Sequence, residues 1–122
     1  MPESYRFIRH GDREILINDY TGMSGDAFTA LVRENAARIV ASGRSDLRLV
    51  IHMPGAFVDR QTVAEFKSAA VAVKPVVART AVVGVEGVQR FLLDVVNRFS
   101  GIGGRPFGSL PEACDWLARD DR

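Results

Sequence analysis

A chain of 122 residues is the size of one domain and buries roughly two-thirds of the surface its unfolded form exposes. Sixteen basic and fifteen acidic residues leave a net charge of +1, which argues against the basic face of a nucleic-acid binder and against an acidic solvating tail. No stretch approaches the ~20 apolar residues of a membrane span, and a lone cysteine, Cys114, allows neither an internal disulfide nor a cysteine-built zinc site.

The first elements in chain order are two β-rich runs, "YRFIRH" (Tyr5–His10) and "REILINDY" (Arg13–Tyr20), around a Gly11-Asp12 turn, which predicts a hairpin. "TGMSG" breaks the chain, and Ser24 is the expected cap of a helix with Asp26 in its first turn. Phe28, Leu31, Val32, Ala36, Ile39 and Val40 follow at helical spacing, and Gly43 marks the stop. Asn35 falls inside that apolar stripe, so its amide must bond a neighbouring loop or line a cavity. "LRLVIHM" (Leu47–Met53) is the mostly apolar run of a strand buried on both faces.

After "PGAFVDR", Asp59 is the expected N-cap of a helix carrying Val63, Phe66, Ala70 and Val73 and ended by Pro75. "RTAVVGV" (Arg79–Val85) is the next buried strand. A helix over Val88–Phe99 follows, with Val88, Phe91, Leu92, Val95, Val96 and Phe99 on one stripe. The glycines 101, 103 and 104 lie beyond this helix, where carbonyls and the negative dipole end face outward. They therefore read as a cap and turn, since a phosphate cradle needs a helix N-terminus. "RPF" (Arg105–Phe107) is a minimal edge strand. Ser109 and Glu112 form the capping box of a last helix, with Pro111 in its first turn and Leu110, Ala113, Cys114 and Leu117 facing inward. The order β-β-α-β-α-β-α-β-α specifies an α/β fold, a single domain built on a mixed, mostly parallel sheet with right-handed crossovers.

The segment "AVVGVEGVQRFLLDVVNRFSGIGGRPFGSLPEACDWL", Ala81 to Leu117, resembles the SpoIIAA-like family of bacterial STAS-type domains, and the likeness extends through "DYTGMSGDAF" and "GAFVDRQTVAEF". The resemblance implies a four- or five-stranded sheet wound as a βα superhelix. It also implies kinship in fold with anti-sigma-factor antagonists and CRAL-TRIO lipid-transfer domains, in a family whose members mostly have no assigned activity. Antagonists of the anti-sigma type carry a phosphorylatable serine in an Asp-Ser-Ser-type turn at the start of the second helix. Here the residues are Asp59-Arg60-Gln61, and Thr62 lies one turn too far along, so no phospho-switch is expected.

Chemistry-bearing constellations are sparse. His52 ends an inner strand, where ligands of open α/β sheets collect, and Asp19 and Asp59 are its candidate neighbours; the alternative is a histidine that simply closes a strand. Cys114 reads as core rather than nucleophile. The two histidines and one cysteine show no ligand spacing, so neither a metal nor another cofactor is expected, and no nucleophile-elbow or Walker A motif is present.

Two apolar features remain. The loops "TGMSG", "MPGAF" and "GVEG" converge at the carboxyl ends of the strands and gather Met23, Met53, Pro54, Phe57 and Val85 with few charges. They form a cap on the core, a pocket mouth or a contact with a second subunit, since a Phe-sized side chain left in water forgoes ~1.5–3 kcal/mol. The second feature is the Val88–Phe99 helix, where Leu93 widens the arc set by Leu92 and its neighbours; it is a surface leucine, a dimer contact or a lid over an apolar cavity.

The leading expectation is a non-catalytic binding module for a small apolar or lipid-like ligand, held by Met23, Met53, Pro54, Phe57, Val85, Leu92 and Leu93. A protein-interaction or regulatory module of STAS type, including a homodimer, is the alternative, and a small enzyme centred on His52 is third. "MPESYRFIRHGDREIL" lacks a signal peptide's apolar core, so the expected location is cytoplasmic, with peripheral membrane contact left open.

Overall fold

Gly11 takes φ +61°, a conformation that suits glycine, and lets the chain reverse between β1 (Tyr5–His10) and β2 (Arg13–Asp19). The two strands pair antiparallel, with Tyr5 opposite Asn18 and His10 opposite Arg13. The computed structural model describes residues 3–84 and 104–119. The expected Val88–Phe99 helix and its Gly101 closure lie outside the described residues.

Helix α1 (Gly25–Ala41) starts after Ser24, whose backbone is extended as an N-cap requires but whose side chain makes no capping bond, contrary to expectation. β3 (Leu47–His52) leads to α2 (Arg60–Val73), where the Asp59 carboxylate accepts from the Thr62 N–H and hydroxyl, each at 2.9 Å. β4 (Val77–Val83) and β5 (Arg105–Phe107) follow, then α3 (Leu110–Ala118). Ser109 caps α3: its hydroxyl accepts from the Glu112 N–H and donates to the Glu112 carboxylate. Four strand boundaries differ from the expected ones: Tyr20 and Met53 leave the ladder to pack as loop residues, pairing with Leu47 extends β4 back to Val77, and β4 ends at Val83, before Gly84, short of the expected Val85.

The five strands lie in the order β1-β2-β3-β4-β5, with β1 antiparallel to β2 and every other pairing parallel. Strand alternation sorts the apolar side chains into two layers. On one face Ile15, Ile17, Val50, Ala81 and Val83 meet Ala113, Cys114 and Leu117 of α3. On the other, Leu16, Leu47 and Leu49 meet Ala36 and Ile39 of α1 and Val73 of α2, and Tyr20, Met53 and Val82 meet Phe28 and Val32. Each buried Val, Leu, Ile or Phe among them contributes ~1.5–3 kcal/mol. Val40, expected on the inward stripe of α1, is instead 50% exposed, because Ala36 and Ile39 already fill the space over Leu16 and Leu49.

Two strand arginines hold the last helix. Arg48, buried in β3, donates from Nη1 to the carbonyls of Leu117 (2.8 Å) and Arg119 (3.2 Å), and Arg79, its register partner in β4, donates to Trp116 O at 3.1 Å. The carboxyl end of α3 has no basic residue in its last turn; the sheet supplies the charge that its orphan carbonyls and dipole favour.

Candidate functional site

The loops that leave β2 and β3 are sewn together by backbone hydrogen bonds. Tyr20 N–H donates to His52 O at 2.7 Å, Gly22 N–H to Pro54 O at 3.0 Å and Phe57 N–H to Met23 O at 2.9 Å. The end of β4 is tied to the same place, since Met53 N–H donates to Val83 O at 2.9 Å. Gly84 completes the closure. At φ +95° it lies so near the β3–α2 loop that a Cβ there would meet Pro54 N, with Pro54 Cα at 2.6 Å and the Met53 carbonyl carbon at 2.8 Å. The three strand ends therefore form one braced rim.

The apolar residues expected to gather there separate into two groups. Met53 is only 5% exposed and packs with Tyr20, Phe28, Ala56 and Val82. Of the three expectations for it, a cap on the core, a pocket mouth or a subunit contact, Met53 takes the first: Phe28 of α1 and Val82 of β4 supply neighbours that the local sequence does not show. Met23 and Pro54 are half-buried, Met23 against the same cluster. Phe57 points the other way and is 63% exposed. Val85, Leu92 and Leu93 lie outside the described residues.

A polar cluster occupies the same end of the sheet, on the α3 face. Asp19 and His52 are partners on the last rung of the β2–β3 ladder, with His52 Nδ1 3.4 Å from Asp19 Oδ1. Thr21 donates to that carboxylate oxygen from its hydroxyl at 2.6 Å and its N–H at 3.1 Å, and Arg6 Nη1 approaches the other oxygen at 3.4 Å. Burial opposes ionisation of Asp19, but the Thr21 hydroxyl and N–H and then His52 outweigh it and hold the carboxyl below its usual range. The Thr21 hydroxyl also lies 3.4 Å from His52 Nδ1. Hydroxyl and carboxylate thus crowd one ring nitrogen, whereas a relay to a nucleophile uses both. Asp59, the other expected neighbour of His52, is spent on capping α2, and its carboxyl is held low by the Thr62 N–H and then the Thr62 hydroxyl.

Thr62 is fully buried, with its hydroxyl on Asp59 and 3.4 Å from Thr29. The hydroxyl nearest the start of α2 is therefore closed to solvent. Asn35 is buried too; its amide donates to the Tyr20 hydroxyl at 3.2 Å and to Ser4 O at 3.4 Å, so it bonds a neighbouring segment. Burial pushes the Tyr20 hydroxyl far above its usual range, partly offset by Asn35.

One feature of the helix layer escaped the sequence reading. A groove of about 410 Å³ runs between α1 and α2, walled by Ala36, Ala37, Val40 and Ala41 on one side and by Ser68, Ala69 and Ala72 on the other. The Arg33–Glu65 ion pair, at 2.7 Å, closes one stretch of it. Val40 and Ala37 carried the available signal, as apolar positions in excess of what one buried helix stripe needs. Among the described residues, no three His, Cys, Asp or Glu side chains gather as a metal site, and no helix is long and apolar enough to cross a membrane.

No protein-family model matches the sequence, and no curated protein matches it. Among solved structures, the chain is similar to the crystal structure of an uncharacterized protein of the DUF3478 family with a SpoIIAA-like fold from Shewanella loihica PV-4. The identity is 14%, over 93% of this chain and 92% of that one, at a TM-score of 0.65. At this identity the likeness concerns the fold, and the fold is the SpoIIAA-like one.

Proposed function

We propose that the domain is a non-catalytic binding module that takes a small apolar or lipid-like ligand at the braced rim, with Phe57 as its anchor. The exposure of Phe57 carries this reading. A phenylalanine 63% open to water on a loop pinned at Met23, Gly22 and Pro54 is presented rigidly, so little conformational freedom is lost when it is covered. Half-buried Met23, whose carbonyl accepts from the Phe57 N–H, and half-buried Pro54 are the apolar neighbours on the same rim. The Asp19–Thr21–His52 cluster supports binding over catalysis, because its groups satisfy one another around a single imidazole nitrogen.

The test is titration of the full chain with cis-parinaric acid, an acyl-chain probe whose fluorescence rises in apolar surroundings, alongside native mass spectrometry of protein purified from cells. Saturable uptake is expected, and Phe57→Asp should weaken it ~10–100-fold, the equivalent of the ~1.5–3 kcal/mol that covering a Phe contributes. Absence of uptake by the unaltered chain overturns the lipid-like ligand. The second reading, a protein-interaction module without the phosphorylatable serine, rests on the same side chain and on the burial of Thr62. It is favoured instead if the purified protein carries a polypeptide that Phe57→Asp releases.

A further inference from the structure

We propose that the outer face of the α1–α2 pair is a self-association surface, on which a second copy of this chain packs helix layer against helix layer. The solvent side of a helix pair in a free-standing α/β domain is normally charged. Here the exposed positions of α2 include Ala64, Ser68, Val71 and Ala72, at helical spacing, and those of α1 include Ala30, Ala37, Val40 and Ala41. Val71 and Val40 are 58% and 50% exposed, two of the three large apolar side chains left in water among the described residues. The third, Phe57, belongs to the rim and not to this face.

The occupant follows from three properties of the face. Its relief is self-complementary: Val71 stands outside the alanine-walled groove of about 410 Å³, so a two-fold axis lets the ridge of each copy fill the hollow of the other. Its charge does not oppose such pairing. Arg33 and Glu65 neutralise each other at the groove wall and Glu34 lies exposed beside Arg33, so both signs are present and an identical face is not repelled. A chain of net charge +1 adds little repulsion between copies.

The third property is size. Helices of 17 and 14 residues are ~25 and ~21 Å long, and lie ~8–10 Å apart when packed. The face they share reaches the lower range of specific interfaces, in which each partner buries ~600–800 Å². The association is accordingly weak and concentration-dependent, and it does not rest on the rim or its ligand.

Sedimentation velocity of the full chain, from about 5 to about 200 µM, spans the micromolar dissociation constants of such an interface. The expected result is a rise from the 13.4 kDa monomer towards twice that mass. Val71→Glu and Ala37→Arg should each weaken the association more than about tenfold while keeping the helical circular-dichroism spectrum, and Phe57→Asp should leave it unchanged. A wild-type chain that stays monomeric at the highest concentration overturns the proposal, as does a dimer that both helix variants retain or that Phe57→Asp abolishes. Should one variant lose its helical spectrum, the wild-type series and the other variant still decide.

Discussion

Arg48 Nη1 reaches the carbonyl of Leu117 at 2.8 Å, a bond between the start of the central strand and the last turn of a helix 69 residues further along the chain. A guanidinium buried in a strand is costly unless its donors are matched, and a helix end is costly unless its carbonyls are. Through Nη1, each meets part of the other's need. Arg48→Met keeps the apolar stem and removes the donors, which leaves the Leu117 and Arg119 carbonyls without this partner. It should destabilise the domain by roughly 2–4 kcal/mol in urea unfolding, with the m-value little changed.

Gly84→Ala should be among the most damaging single-methyl changes. The added Cβ would fall within 2.6 Å of Pro54 Cα, against backbone that cannot rotate away, at a φ of +95° that an alanine avoids. A loss of about 3 kcal/mol is expected in thermal or chemical unfolding. Gly55→Ala is the control: its Cβ would meet Gly22 at ordinary contact distance, leaving only the strain of its positive φ.

Asp19 makes stability depend on pH in a defined direction. Its folded pKa is lowered, so the stabilisation is complete above the unfolded carboxyl pKa, near 4, and disappears as pH falls through the folded value. The wild-type chain should lose stability below about pH 4 faster than Asp19→Asn. The two stability curves should converge at low pH and separate at neutrality, as read from unfolding midpoints across a pH series.

Cys114 should be nearly inert in the native protein. Burial against the sheet, and secondarily the neighbouring Asp115 carboxylate, push its thiol up, so both access and thiolate fraction are low. Its labelling by a disulfide reagent should run at the rate at which α3 lifts from the sheet, and Arg48→Met should speed that labelling more than it speeds exchange of the β2 amides.

The elements were legible because each carries a local cause. Gly11-Asp12 turns the hairpin, Asp59 and Ser109 cap their helices, and the strands show apolar runs of the right length. Asn35 was readable for the same reason, since a polar residue inside an apolar stripe must find a partner, and Tyr20 and Ser4 provide it. The site was less legible because its facts are non-local. Met53 is a core residue through Phe28 and Val82, and Val40 is exposed because Ala36 and Ile39 fill the space first; neither follows from spacing. Arg48 did carry a signal. An arginine inside "LRLVIH" needs acceptors, but nothing nearby in the chain says that they are the carbonyls of α3.

The placement of α3 also bears on how the chain is made. Ile15, Ile17, Val50, Ala81 and Val83 are covered on their side of the sheet by a helix that leaves the ribosome after all five strands. Until Leu110–Ala118 has been synthesised and docked, a nascent sheet shows a greasy flank and an uncapped Arg48 to whatever is near. A ribosome stalled before this helix would therefore hold an adhesive, protease-sensitive intermediate, for which chaperones would compete until translation resumes.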